Sequence, residues 1–157
     1  MRFYEDIIIG ERSDLGSHTF GAEAIKAFAR KYDPQPFHVD EEAARRSHFG
    51  GLVASGWHTA AVCMRHNVDG KYRDDAALRA GGKLVAASGP SPGVRDIRWH
   101  KPIYPGDTIT FISEITDKRD TSRPGYGLVT TSTTGTNQHG DVVYSVSGAV
   151  FVERREK

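Results

Sequence analysis

A change in hydrophobic periodicity near Gly81-Gly82 divides the chain into two halves with different compositions. Val, Ile and Thr together number 32 against five Leu, and 18 of those 32 β-branched residues lie in residues 105–152. Twelve of the 15 Ala residues precede Gly81. Because Ala favours helices and β-branched residues favour strands, the sequence predicts a helical first half and a sheet in the second.

The second half alternates apolar and polar residues with a period of two, as in Ile109, Phe111 and Ile115. This pattern predicts half-buried strands, each bounded by Gly, Pro or Asp. The four residues 137–140, Asn-Gln-His-Gly, form a short turn that predicts a hairpin between the last two strands. The predicted strands are 83–88, 93–101, 107–117, 126–136 and 141–152.

The first half predicts three helices. The first covers 20–31, with Thr19 as its N-cap and Asp33-Pro34 as its end, because proline disfavours a helical residue before it. A short helix over 40–46 follows an extended loop over 33–37, and a hydrophobic helix begins at Trp57 and ends near His66. Together these elements predict one α+β domain over 1–157, with 153–157 as a flexible tail.

Charge and cysteine content exclude several classes. The 21 Lys and Arg against 20 Asp and Glu leave a net charge of +1, which gives no electrostatic reason to expect a nucleic-acid partner. No stretch approaches the roughly 18 apolar residues of a membrane span, and the N-terminus lacks a signal-peptide pattern. The single cysteine, Cys63, cannot form an internal disulfide. We therefore expect a cytoplasmic protein that uses neither membrane nor nucleic acid.

Asp33 and His38 lie five residues apart on a segment stiffened by Pro34 and Pro36. A carboxylate and an imidazole that share one water can activate it and move a proton, as hydration or hydrolysis requires. The alternative from the residues alone is structural. In that interpretation Asp33 caps local backbone amides and His38 packs as a half-buried ring.

Gly56 stands at the start of the hydrophobic helix, where backbone N–H groups are unpaired and the helix dipole is positive. Such a position can stabilise an oxyanion or a polarised carbonyl, although close packing of a helix against a loop also explains a glycine there. The seven His residues include no HxxxH or HExxH pattern and no Cys/His ligand pair. The sequence therefore predicts no metal site.

Residues 28–44 read Phe-Ala-Arg-Lys-Tyr-Asp-Pro-Gln-Pro-Phe-His-Val-Asp-Glu-Glu-Ala-Ala, and residues 98–108 read Arg-Trp-His-Lys-Pro-Ile-Tyr-Pro-Gly-Asp-Thr. Taken with Ala54-Ser55-Gly56 and the helix that follows, these segments resemble the MaoC-like, or hydratase-2-type, (R)-specific enoyl-CoA hydratases. The resemblance covers roughly residues 5–152.

The resemblance implies a hotdog fold, in which an antiparallel sheet wraps a long helix, here about Gly56–Asn67. It also implies a dimer whose sheets join side by side, with an acyl-CoA thioester bound near the interface. Asp33 and His38 would activate the water that adds to the alkene, and the Gly56 N–H would polarise the thioester carbonyl. Ser55, Gln35 and Trp57 would line the substrate site. No metal or redox cofactor is implied, since CoA is part of the substrate.

The sequence departs from the family pattern at four places. Gln35 replaces the commoner Asn, Trp57 and His58 are bulkier than the usual residues, and Ala61 replaces a Ser found in some relatives. These departures leave the acyl group open. They do not change the expected reaction, which is reversible (R)-specific hydration of a trans-2-enoyl-CoA to the 3-hydroxyacyl-CoA.

Two other functions fit the same fold. One is an acyl-CoA thioesterase, in which a carboxylate-activated water attacks the thioester carbonyl. Such an enzyme typically carries its acid on the central helix, and Gly56–Asn67 contains none. The other is a non-catalytic module that binds acyl-CoA. Retention of both Asp33 and His38 argues against it.

Overall fold

The computed structural model describes residues 1–155, and its central element is a five-stranded antiparallel sheet in the order β1-β3-β4-β5-β2. The order confirms the predicted hairpin, since β4 pairs with β5 from Tyr126 against Glu153 to Thr136 against Val142. The strands are β1 (Arg12–Thr19), β2 (Gly93–Trp99), β3 (Thr108–Asp120), β4 (Tyr126–Thr136) and β5 (Val142–Glu153).

Four helices precede β2 in the chain. They are α1 (Ala22–Tyr32), α2 (Pro36–Val39), α3 (Glu41–Arg45) and α4 (Gly56–Ala80), and a 3₁₀ turn lies at Tyr4–Asp6. The long helix α4 with the antiparallel sheet is the hotdog arrangement, which confirms the predicted α+β class. The Asp40 side chain accepts a hydrogen bond from the Ala43 N–H at 2.8 Å, so Asp40 is the N-cap of α3.

Helix α4 is longer than predicted, because it continues past Asn67 to Ala80. The helix continues because Arg65 pairs with Asp69 at 2.7 Å and Lys71 with Asp75 at 2.6 Å, both at the helical spacing of four.

The prediction missed one strand and included one that the structure does not have. Strand β1 was not predicted, because only Leu15 is buried among its eight residues and a bulge falls between Asp14 and Gly16. A mostly exposed edge strand of this kind lacks the alternation that marks a strand. Residues 83–88 form no strand; the segment lies beside the end of β5, with a single bridge from Ser88 to Val152.

Three smaller predictions also need correction. Helix α1 begins after Gly21, without a side-chain cap from Thr19. The segment 33–37 is not extended throughout, since the short helix α2 begins at Pro36. The expected flexible tail starts too early, because Glu153 ends β5 and the Arg155 guanidinium pairs with Asp6 at 2.5 Å. Residues 156 and 157 of that tail lie outside the described residues.

The buried apolar side chains form two clusters on the sheet. The larger one gathers Phe20, Ile25, Phe111 and Tyr144 with Cys63 of α4. The smaller one packs the N-terminal segment onto the other end of the strands, with Tyr4, Ile7, Val129 and Val152. The larger cluster holds the first half of α4 against the sheet and so fixes the position of the helix N-terminus.

Candidate active site

Asp33 lies immediately after α1, where the helix has to end. Its backbone N–H bonds the Ala29 carbonyl at 2.8 Å, and Pro34 prevents the helix from continuing. The carboxylate is therefore carried on a short, constrained segment between two helices. Its side chain is 18% exposed, so the group is largely removed from solvent.

Two side chains donate to the Asp33 carboxylate. The Ser55 hydroxyl reaches Oδ2 at 2.6 Å, and the Gln35 amide reaches Oδ1 at 2.9 Å. Burial by itself raises the pKa of Asp33, but these hydrogen bonds and the nearby His38 together outweigh it and hold the pKa below its ordinary value. Asp33 is therefore an ionised hydrogen-bond acceptor at neutral pH.

The buried side chain of His38, on α2, contacts one neighbour through each ring nitrogen. Its Nδ1 lies 2.7 Å from the Val53 carbonyl oxygen, which can only accept, so the Nδ1 carries a proton. Its Nε2 lies 3.5 Å from Asp33 Oδ2. The Val53 carbonyl thus fixes both the ring orientation and the tautomer.

Ser55 connects this pair to the N-terminus of α4. It is fully buried, and its Oγ donates to Asp33 while accepting from the Trp57 N–H at 3.2 Å. Gly56 is the first residue of the helix, so its N–H belongs to the unpaired first turn. The carboxylate, the imidazole and the helix N-terminus therefore meet at one place.

Trp99 of β2 lies directly against Gly56. A Cβ built on Gly56 would be 2.4 Å from Cε2 of the indole, which no real side chain tolerates. The neighbouring Trp57 is 56% exposed, and its ring meets that of Trp99 edge to face at 5.4 Å. Glycine is required at 56 as long as Trp99 keeps this position.

A cavity of about 1000 Å³ runs between α4 and the inner face of the sheet. Trp57, Ala60 and Met64 line it from the helix, and Tyr144 lines it from the sheet. Neither Asp33 nor His38 belongs to its lining. The cavity therefore begins at the first turn of α4, next to the polar pair, and extends away from it.

The other residues singled out on α4 have structural surroundings. His58 is buried, stacked on Phe28 at 4.6 Å, and burial lowers its pKa to about 4, helped by His18. Burial raises the pKa of the Cys63 thiol to about 11, so the thiol is unreactive at neutral pH. Ala61, where some relatives carry Ser, faces solvent.

Gly56–Asn67 contains no acid, but α4 continues to Ala80 and its second half includes Asp69, Asp74 and Asp75. All three lie in its second half and pair with neighbouring cations: Asp69 with Arg65, Asp75 with Lys71, and Asp74 with Arg73 at 3.9 Å. They are thus separated from the helix N-terminus by at least thirteen residues, or about 20 Å of helix.

Residues 1–155 contain no group of three His, Cys, Asp or Glu side chains placed to hold a metal ion. Among the helices of this described range, none is both long and apolar enough to cross a bilayer.

The structure joins four of the six predicted site residues through hydrogen bonds or close polar contact: Asp33, Gln35, His38 and Ser55. Gly56 and Trp57 follow directly at the helix N-terminus. Sequence reasoning missed the Val53 carbonyl, because a backbone acceptor is the same for every residue type. It also missed the contact between Trp99 and Gly56, although Trp99 lies in the segment 98–108 that carries part of the family resemblance.

The antiparallel sheet with its long helix is a fold that known dehydratases share. The family model described as "FAS1-like, dehydratase domain region" matches residues 8–146. The MaoC-like dehydratase from Rhodospirillum rubrum, a solved structure, is 39% identical, with a TM-score of 0.80 and 100% coverage of both chains. The chain belongs to the MaoC-like dehydratase family and is a hydro-lyase.

Two further relatives match this chain over very different shares of their own length. The uncharacterized protein YdeM of Bacillus subtilis (strain 168) is 30% identical over 151 residues, which are 96% of this chain and 98% of YdeM. The mesaconyl-CoA hydratase of Cereibacter sphaeroides is 35% identical over 91 residues. That match covers 58% of this chain but only 24% of the hydratase, so the two proteins correspond over one segment.

Proposed function

We propose that the protein catalyses reversible (R)-specific hydration of a trans-2-enoyl-CoA to the (R)-3-hydroxyacyl-CoA, with Asp33 and His38 activating the water. The observation that carries the proposal is the pairing of two hydrogen-bond acceptors. In the tautomer with its proton on Nδ1, the His38 ring presents a lone pair on Nε2, 3.5 Å from the Asp33 carboxylate.

A water between these two groups would donate one proton to Asp33 and the other to His38 Nε2. A lone pair of the water oxygen would then be free to attack C3 of the alkene. As the C–O bond forms, the Asp33/His38 pair takes up one proton from the water and gives one proton to C2, so the pair ends in its starting protonation state. General acid–base catalysis of this kind accounts for about 10²- to 10⁴-fold in rate.

The N-terminus of α4 is suited to the charge that develops during this addition. Attack at C3 pushes electrons through C2 onto the thioester oxygen, which becomes enolate-like. The Gly56 N–H and the positive end of α4 would stabilise that oxygen. Gln35 and Ser55 would support the reaction through Asp33, because their hydrogen bonds keep the carboxylate ionised and oriented beside the helix.

The relatives support the hydration reaction in general terms. The Rhodospirillum rubrum structure is described as a MaoC-like dehydratase, and the Cereibacter sphaeroides relative as a mesaconyl-CoA hydratase. CoA would enter as part of the substrate, and the proposed reaction uses neither a metal nor a redox cofactor. We also propose that the chain forms a homodimer. A cytoplasmic location stays a prediction from the single Cys63.

The test replaces each member of the pair separately. We expect Asp33→Asn and His38→Ala each to lower kcat/KM for hydration of trans-2-butenoyl-CoA by roughly 10²-fold or more, with the fold intact by circular dichroism. Loss of the enoyl chromophore measures the reaction. Asp40→Asn and His139→Ala, which change an exposed carboxylate and an exposed ring elsewhere, serve as matched controls.

Full activity in either site variant would contradict the assigned roles. Release of free CoA thiol from a saturated acyl-CoA would instead identify a thioesterase. Tight binding of the enoyl-CoA by the wild type without any turnover would identify a binding module.

A further inference from the structure

Hydroxyl side chains form a row across the inner face of the sheet. Ser13 of β1 pairs with Ser113 of β3, and Ser113 pairs with Thr133 of β4. All three side chains line the cavity, with Thr131 of the neighbouring row beside them. Because directly paired residues on adjacent strands have close Cβ atoms, three hydroxyls lie side by side in one line.

This row separates the two apolar clusters of the molecule. Phe111 and Tyr144 belong to the cluster on one side, while Ile115 and Val129 belong to the cluster on the other. Inner faces of antiparallel sheets are usually apolar, so a polar band between two apolar regions needs a reason. Folding alone does not supply one, since valine at these positions would join the clusters.

The hydroxyls are able to donate into the cavity. Thr133, which is 2% exposed, donates from Oγ1 to Ser113 Oγ at 3.3 Å. The Ser113 hydroxyl, having accepted that bond, keeps its own proton for a group in the cavity. Asn67 of α4 lines the same cavity and adds an amide.

The row also lies at a defined distance from the candidate active site. Trp99, against Gly56, is on β2, and the sheet order places β5 between β2 and β4. Two inter-strand steps of 4.8 Å put Thr133 about 10 Å from the strand of Trp99. An acyl chain that started at the α4 N-terminus and followed the cavity would reach the row several carbons from the thioester.

We propose that this hydroxyl row selects acyl groups that carry a hydrogen-bond-accepting oxygen along the chain, a hydroxyl or a carboxylate, over plain alkyl chains. The inference rests on the proposed function, because it places the acyl group of that substrate in the cavity. A plain chain would cover the Ser113 hydroxyl without giving it a partner. A site built to bond a substrate oxygen discriminates against an analogue that lacks it.

The test compares three substrates of equal chain length: trans-2-octenoyl-CoA, its ω-hydroxy derivative and its ω-carboxy derivative. We expect the wild type to have a kcat/KM at least roughly ten-fold higher for one of the oxygenated substrates than for the alkyl one. Comparing the ω-hydroxy with the ω-carboxy substrate shows to which kind of oxygen the hydroxyl row donates. In Thr133→Val and Ser113→Ala we expect this preference to shrink toward one.

Thr134→Val is the matched control. It makes the same change of side chain as Thr133→Val, but residue 134 points to the opposite face of β4. It should leave the preference unchanged. Trans-2-butenoyl-CoA is too short to reach the row, so all three variants should hydrate it at the wild-type rate.

The outcomes separate the two proposals. Hydration of trans-2-butenoyl-CoA without a preference for either oxygenated octenoyl chain, or an unchanged preference in Thr133→Val, overturns the inference and leaves the proposed function standing. If no enoyl-CoA is hydrated, the proposed function fails. Calorimetric binding of saturated octanoyl-CoA against its ω-hydroxy and ω-carboxy derivatives then still tests the row, and equal affinity for all three overturns it.

Discussion

Ser55 is the residue on which the candidate active site depends most. One buried hydroxyl donates to the Asp33 carboxylate and accepts the N–H of Trp57, so it orients the acid and caps α4 at once. Asp33 could be predicted from its spacing to His38. The double role of Ser55 could not, because the hydrogen bond spans 22 residues and no local pattern marks it.

We expect Ser55→Ala to change both stability and pH dependence. Loss of the cap should cost about 1 kcal/mol in the free energy of unfolding. Loss of the hydrogen bond should raise the pKa of Asp33, because that bond is one of the contacts that hold it low. Since the ionised form acts, the acid limb of the kcat/KM profile should move to higher pH.

The raised pKa of Asp33 in Ser55→Ala should also lower the free energy of unfolding at neutral pH. A carboxylate with a depressed pKa stabilises the fold above its unfolded pKa, here 3.8, and loses that contribution as the pH falls through the folded value. Asp40→Ala, which removes the cap of α3, is the control for a cap without a catalytic neighbour. It should lower stability with no shift of the acid limb. An unshifted limb in Ser55→Ala would contradict the role assigned to Ser55.

At the level of elements, the contact between β2 and the start of α4 determines what can approach the helix N-terminus. The Trp99 indole covers Gly56 so closely that no Cβ fits between them. The side chain of Trp99 is nevertheless 45% exposed, so it can move if pushed. The strand and the helix are therefore coupled through Trp99, which contacts both Gly56 and Trp57.

We expect Gly56→Ala to cost about 1–2 kcal/mol in the free energy of unfolding, because the new methyl group collides with the indole. In a Trp99→Ala background the same substitution should cost close to nothing. Urea denaturation of the four proteins of this double-mutant cycle measures the difference. Equal costs in both backgrounds would show that the contact with Trp99 is not what requires glycine.

The elements that the sequence predicted correctly are those with strong local signals. Strands β3 and β5 alternate apolar and polar residues, and the helix over Ala22–Tyr32 has one apolar face. Strand β1 was missed because it is an exposed edge, and the predicted helix ended near His66, whereas α4 continues through Gly70, a residue of low helix propensity, to Ala80. Gly70 is buried against Leu15 of β1, whose Cδ2 would lie 3.5 Å from a Cβ at residue 70. Tertiary packing decides such cases.

At the level of the whole molecule, apolar side chains remain exposed on the helix and the edge strand around the cavity. Trp57, Met64, Val68 and Tyr72 recur along α4, and Val94 lies on β2. Exposed apolar residues grouped in this way are typical of an interface. They support the proposed homodimer, in which this surface of α4 and the β2 edge would face a second copy.

We expect light scattering after gel filtration to give about twice the chain mass of 17.3 kDa. Tyr72→Glu, which places a charge on this surface, should weaken the dimer and make the mass depend on protein concentration. Tyr32→Glu changes a tyrosine of similar exposure on α1 and is the control. A monomeric mass for the wild type at tens of micromolar protein would contradict the proposal.

The central claim is that Asp33 and His38 add water to the C2=C3 bond of an enoyl thioester. The most direct measurement incubates the wild-type protein with trans-2-butenoyl-CoA and determines the configuration of the product. We predict (R)-3-hydroxybutyryl-CoA, with the thioester intact, and almost none of it with Asp33→Asn. Formation of the (S) product, release of free CoA, or equal hydration by Asp33→Asn would contradict the account.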